Sequence, residues 1–456
     1  MSGADLIFRE IDARREEILG GLMRLLEIPS VSADPARASD VRRCAEFLAA
    51  ELRSAGFQSS VEETGGHPAV FAAAQAAGAA PTVLFYGHYD VQPAEPLDKW
   101  TTPPFSPAVR GGAIYARGAS DDKGPLWAHI QALRLWREHG GLPVNVIVLL
   151  EGEEEIGSPH LRQFLERNRE RLRADVAVLS DTAQFARGMP AITCGLRGLL
   201  YMEIVVRGAA FDLHSGSYGG AVPNPANVLV ELLASLHDAQ GRVNIPGFYD
   251  DVAPLSEEER RQWSRLPFDE DRFLRELGLE AGAGEAGYST LERRWARPTC
   301  DINGLTAGYQ GPGAKTVIPA TASAKVSMRL VPDQDPDRIQ EAFERTLRQR
   351  CPAGVRLEIS RHSAAPACLT RTDSPFMRRA MAAVTRGFGV EPVLIRGGGS
   401  VPVVGMFKEV LGVDALLAGF SLPDDREHSP DEKFDLESLR SGMRTAAALY
   451  EELGRR

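Results

Sequence analysis

The amino-acid sequence predicts an α/β protein: a mixed, largely parallel sheet with helices on both faces, interrupted by an inserted α+β domain. Three observations predict it. Up to residue 179 the chain alternates helical and strand-like apolar patterns in a β-α-β-α-β order, the order that builds parallel sheets. After Gly195 the pattern changes to strands with only two clear helices. Near residue 375 the α/β style returns. The expected boundaries are 1–195 and 366–456 for the interrupted domain and 196–365 for the insertion.

Each element has its own signal. Residues 5–26 and 39–55 carry apolar side chains at helical spacing, with Gly56 placed as a stop. Residues 82–86 (TVLFY) form a short apolar strand ended by Gly87. A helix follows over 124–139 and a buried strand over 144–150 (VNVIVLL). Ser158 and Pro159 read as the cap and first residue of a helix over 159–173, and 176–179 reads as another strand. In the insertion, strands are expected at 200–206, 325–330 and 355–359, with helices at 227–240 and 335–350. The Arg- and Glu-rich stretch 250–297 reads as a partly helical excursion. The last part carries a helix at 375–386, a strand at 392–395, a turn at Gly397–Gly399 and a helix at 436–453.

Composition narrows the function. The 456 residues allow two or three domains at roughly 150 residues each. A net charge of −10 argues against non-specific nucleic-acid binding and against an anionic membrane surface. No apolar run approaches the roughly 20 residues that span a bilayer. Residues 1–15 contain Asp5, Glu10 and Asp12 and no apolar core, so no signal peptide is expected there. The five cysteines (Cys44, Cys194, Cys300, Cys351, Cys368) are scattered with no CxxC pair. Reduced thiols in the cytoplasm are the expectation.

Chemistry-bearing residues follow the strands. Gly87-His88-Tyr89-Asp90 follows the first, Glu151-Gly152-Glu153-Glu154-Glu155 the second, and Ser180-Asp181 the third. Ligands of open α/β sheets bind beyond the carboxyl ends of strands, so His, Glu and Asp are delivered to one rim. Ser120-Asp121-Asp122 opens the helix at 124. Singly, each motif has a plain alternative: a surface His–Asp pair, a helix cap, an acidic loop near a helix start. Together they point to divalent metal, because imidazole with carboxylate suits zinc, manganese or cobalt. A pair of cations about 3.5–4 Å apart needs a bridging carboxylate, for which Asp121 is the candidate. Asp90 is placed to orient His88. The Gly397–Gly399 run could read as a phosphate loop, but no strand–Gly-rich–helix fingerprint with a Lys-Ser/Thr follows it.

The segments GHYDVQP (87–93), ARGASDDKGP (116–125), EGEEEIGS (151–158) and LSD (179–181) resemble the M20 family of di-metal aminoacyl peptidases. DLHSGSYGG (212–220), KTVIPA (315–320), MRLVP (328–332) and GGGSVPV (397–403) resemble its carnosinase-type, cytosolic non-specific dipeptidase branch. The resemblance implies two divalent ions, zinc foremost, with Mn2+ or Co2+ as alternatives. Asp121 would bridge them; His88 and Asp181 would complete one site, Glu155 and His428 the other. Glu154 would be the general base acting on a hydroxide shared by the ions, and the bond after Asp121 would be cis. His214 would stabilise the oxyanion from the second subunit of a homodimer formed through the insertion, a lid and dimerisation domain. Thr316, Arg329 and Ser400 would hold the substrate carboxylate or the reacting carbonyl, the fork of Arg329 suiting a carboxylate. Two positions depart from the pattern: Ala116 where relatives commonly have Gly, and Glu153, an extra carboxylate beside the base. The implied activity is hydrolysis of dipeptides or similar short amides, with a small-molecule substrate as partner and neither nucleic acid nor membrane. An N-acyl amino acid deacylase and a non-catalytic binding scaffold are the alternatives.

Overall fold

The computed structural model describes residues 3–399 and 401–455. The chain divides into two compact units. One comprises Met1–Cys194, Thr370–Ile395 and Pro402–Arg456; the other comprises Gly195–Leu369 and Arg396–Val401.

The first unit is built on a mixed sheet. Four neighbouring strands run parallel, in the order Asn145–Glu151, Thr82–His88, Val176–Leu179, Ala415–Ala418. Antiparallel strands flank them: Ala69–Ala74 and then Gln58–Glu62 beyond Asn145–Glu151, and Ala191–Leu196 beyond Ala415–Ala418. Both faces are buried, which explains the unbroken apolar runs. Val83, Phe85, Val146, Val148 and Val178 face a core completed by the helices Lys123–Glu138, Pro375–Phe388 and Leu436–Gly454. Leu84, Tyr86, Ile147 and Leu149 alternate with them and are also buried. On that face Tyr86 meets Phe407 edge-on, ring centroids 5.5 Å apart. The register sends the carboxyl ends of all four parallel strands to one edge, the edge from which the loops carrying His88, Glu153–Glu155, Asp181 and His428 depart.

The second unit has a four-stranded antiparallel sheet in the order Thr299–Ala307, Thr321–Leu330, Gly198–Arg207, Arg356–Ala365. Period-2 alternation puts Leu200, Met202, Ile204 and Val206 on one face with Ala324, Val326 and Met328. The helices Pro225–Ala234 and Pro336–Arg350 contribute Leu229, Leu232, Phe343 and Leu347 to that core. The excursion at 250–297 holds three short helices, Glu257–Ser264, Glu270–Glu276 and Thr290–Ala296. Ser256 and Ser289 form capping boxes with Glu259 and Glu292.

Two local expectations are corrected. Residues 5–26 form two helices, Gly3–Ala13 and Arg15–Leu26, because Arg14 leaves helical geometry (φ −107°, ψ 19°). Ser158 caps nothing: it is left-handed at φ 53°, and the helix runs Leu161–Arg167 behind His160.

Candidate metal centre

Strand geometry positions His88 first. It ends a parallel strand that is buried from Val83 onward and is itself fully buried. Its Nδ1 lies 3.1 Å from the Asp90 carbonyl and 3.5 Å from Asp90 Oδ1. That leaves Nε2 to face the centre, 2.9 Å from Asp121 Oδ1 and 3.7 Å from Asp181 Oδ2. The other oxygen of Asp121 lies 2.8 Å from His428 Nε2, which is 3.3 Å from Glu155 Oε2. Two ligand groups result: His88, Asp121 and Asp181, and Asp121, Glu155 and His428, the ligand atoms of each group within 4.8 Å of one another. Asp121 belongs to both. The peptide bond after it is cis.

Asp90 does more than orient His88. Its carboxylate accepts the Ser32 hydroxyl at 2.6 Å and the backbone N–H groups of Glu154 and Glu155 at 3.2 and 3.1 Å. It therefore ties the strand end bearing His88 to the short helix Glu154–Ile156. Gln92 donates to Glu155 Oε2 at 2.8 Å.

The charges explain why a cation belongs here. Burial pushes the Glu154 carboxyl up to about 8; His88 opposes the rise, while Asp181, Glu155 and Asp121 add to it. Asp181 is pushed up to about 7 by burial and then by Asp121. Burial also works against Asp121, yet hydrogen bonds with His428 and His88 hold its carboxyl well below the usual range. Bonded to Asp121 and Glu155, the His428 imidazole rises to about 10. Two imidazoles thus face four crowded carboxylates, Asp121, Glu154, Glu155 and Asp181. Divalent ions on N and O donors of this kind would relieve the repulsion, and the donor set fits two of them sharing Asp121.

Sequence reasoning missed the braces around the centre. Glu432, fully buried, accepts the backbone N–H groups of Gly118, Ser120 and Asp121 at 2.9, 2.9 and 3.2 Å and pairs with Arg117 at 2.7 Å. Asp425 accepts the Ser120 hydroxyl at 3.1 Å and Lys433 Nζ at 2.8 Å. Together they hold the Asp121 loop to the loop of His428. In that second loop Arg426, His428 and Asp431 are left-handed, which a non-glycine residue adopts only under local constraint. Glu432 and Lys433 lie just beyond His428 in sequence, the one signal that could have drawn attention to them.

The remaining expected residues belong to the second unit. His214 sits on a short antiparallel pairing, opposite Val317, and the N–H of Ser215 bonds the carbonyl of exposed Thr316 at 3.1 Å. His214 Nδ1 accepts the Gly216 N–H at 3.0 Å. Arg329 lies near the far end of the strand Thr321–Leu330, roughly 26 Å along it. Within this unit His214 and Thr316 are neighbours and Arg329 is remote from them. Ser400 lies outside the described residues.

Comparison with known proteins places these features in context. The family model described as peptidase family M20/M25/M40 matches residues 84–452. The Cys-Gly metallodipeptidase dug1 of Schizosaccharomyces pombe is 32% identical over 98% of this chain and 98% of its own length. The crystal structure of human carnosine dipeptidase 1 superposes with a TM-score of 0.85 at 30% identity, covering 100% of this chain and 99% of that one. An M20 family metallo-carboxypeptidase, Sso-CP2 of Sulfolobus solfataricus, superposes with a TM-score of 0.86 at 34% identity over 96% of this chain and 99% of that one.

Proposed function

The chain belongs to peptidase family M20/M25/M40, and from that premise we infer that it is a metal-dependent dipeptidase, whose reaction is carried by the groups gathered around Asp121. The observation that carries this reading is the pair of His/carboxylate groups joined through one aspartate, with Glu154 on the adjoining turn.

His88, Asp121 and Asp181 would hold one ion, and Asp121, Glu155 and His428 the other. Bound there, the ions supply Lewis acidity that acidifies a water and polarises the scissile carbonyl. Zinc suits these donors best; manganese and cobalt are the alternatives. Glu154 accepts the proton of the attacking water and delivers it to the leaving amine. Burial raises the Glu154 carboxyl to about 8, and positive charge bound beside it would lower it to serve as a base near neutrality. Asp90 holds His88 and the Glu154–Glu155 backbone in register for this transfer. His214 stabilises the oxyanion across a homodimer formed through the second unit. Thr316, Arg329 and Ser400 hold the substrate carboxylate or the reacting carbonyl, which favours short substrates over proteins. The five cysteines, scattered along the sequence with no CxxC pair, favour a reducing, cytoplasmic compartment. Among the described residues, no helix is long and apolar enough to cross a membrane.

Glu154→Gln tests the reading. Zinc-loaded and folded, it is expected to lose dipeptide turnover by at least about 10²-fold while still binding metal. Near-normal turnover refutes the base. N-acetyl amino acids and tripeptides assayed in parallel separate a dipeptidase from a deacylase and from a carboxypeptidase.

A further inference from the structure

Glu153 is a buried carboxylate set immediately before the turn that carries Glu154 and Glu155. Its oxygens lie 2.8 and 3.1 Å from His160 Nδ1, and Oε1 accepts the N–H of His67 at 3.0 Å. Its own carbonyl accepts the N–H groups of Ile156 and Ser158 at 3.2 and 2.8 Å, closing the turn. The space around this carboxylate is tailored. A Cβ on Gly66 would stand 1.9 Å from Glu153 Oε1 and 2.6 Å from His160 Nδ1, so only glycine leaves room for the pair.

The contacts continue as a circuit back to the centre. The His67 ring lies 3.0 Å from the Ser32 carbonyl through Nε2. The Ser32 hydroxyl donates to Asp90, whose carboxylate accepts the N–H groups of Glu154 and Glu155. The turn is thus gripped on one side by Asp90 and on the other by Glu153. A buried carboxylate next to others is costly unless it is paired and hydrogen-bonded. An apolar side chain would fill the space without that cost. His160, on the half-exposed start of the helix Leu161–Arg167, and the His67 N–H supply the compensation.

We propose that Glu153, with His160 as its counter-group, is a positioning residue for the metal centre: it holds the 153–158 turn so that Glu154 and Glu155 face the ions in one fixed geometry. The proposal rests on the assignment of Glu154 as base and Glu155 as ligand made above. Glu153 touches neither substrate nor metal; it acts through the backbone of the two residues that do.

Three variants probe the pair from different sides. Glu153→Gln keeps the volume and the acceptor for His67 but removes the charge. His160→Ala removes the counter-group from a partly exposed position. Gly66→Ala drives a methyl group into the carboxylate. In folded protein, checked by near-UV circular dichroism, each is expected to weaken zinc binding about 10-fold in competition with a chromophoric chelator. Each should also lower kcat on Ala-Ala about 10-fold, the scale seen when outer supports of metal ligands are lost, with KM changed less than about twofold. The double variant Glu153→Gln/His160→Ala should lose no more than Glu153→Gln alone, because the residues act as one unit. Parent-like zinc affinity and kcat in folded Glu153→Gln and His160→Ala overturn the proposal, as do losses that simply add in the double variant. Glu154→Gln is the control for the underlying assignment: if it keeps turnover the base is wrong, whereas the zinc affinities of the Glu153 variants still decide the positioning role.

Discussion

Each oxygen of Asp121 faces a different histidine, so one side chain joins two ligand groups, and the protonation of their neighbours becomes a property of the fold. Glu154 and Asp181, raised to about 8 and about 7, keep protons in the folded protein at pH values where the unfolded chain has released them. Each therefore costs stability as pH climbs from about 4 through its folded value. His428 is raised from 6.5 to about 10. Its contribution is complete below the unfolded value and is lost as pH rises through the folded one. All three push the metal-free protein the same way. Its melting temperature in the presence of a chelator is expected to fall between about pH 5 and pH 9. Added zinc should raise it more at pH 8 than at pH 6, because the ligands must be deprotonated to bind. A thermal-melt series with and without chelator checks this; a metal-free profile that is flat or rises with pH contradicts it.

At the scale of elements, the Asp121 loop depends on a carboxylate from far along the chain. Glu432, fully buried, satisfies three backbone donors and Arg117 at once. Glu432→Gln leaves Arg117 buried without its counter-charge, and removing one partner of such a pair costs about 3–5 kcal/mol. Denaturant unfolding is expected to register a loss of that size, with weaker zinc binding; an unchanged midpoint would show that the loop stands without this brace. The same contact shows how far the site was legible in the sequence. His88, Glu154, Glu155 and Asp181 could be singled out because each lies just beyond the carboxyl end of an apolar strand run, and parallel strands send those ends to one sheet edge. His428 lies ten residues beyond the fourth parallel strand, Ala415–Ala418, too far for the strand-end argument to reach it, and the family resemblance, with its place just before the last helix, marked it. Glu432, Ser32 and Asp425 were illegible because their roles are hydrogen bonds to residues distant in sequence, and no local pattern encodes those. Arg14 broke an expected helix for the converse reason. The apolar spacing across 5–26 continues past a residue that leaves helical geometry, and tertiary packing overrides propensity there.

For the whole molecule, His214 and the metal ligands belong to different compact units, and the proposed mechanism has them meet across a homodimer. Mixing a His214→Ala chain with a Glu154→Gln chain tests that arrangement. Each homodimer should be nearly inactive, and mixed dimers should recover up to about a quarter to a half of parental activity, since one composite site is intact. Confirmed mixed dimers without any recovery refute sharing. The interrupted layout of the first unit has one more consequence. A ribosome releases His88, Asp121 and Asp181 early, but His428 and the strand Ala415–Ala418 emerge only after the entire second unit has been made. The metal centre, with the Glu432 brace of its Asp121 loop, can therefore be completed only once the second unit has left the ribosome.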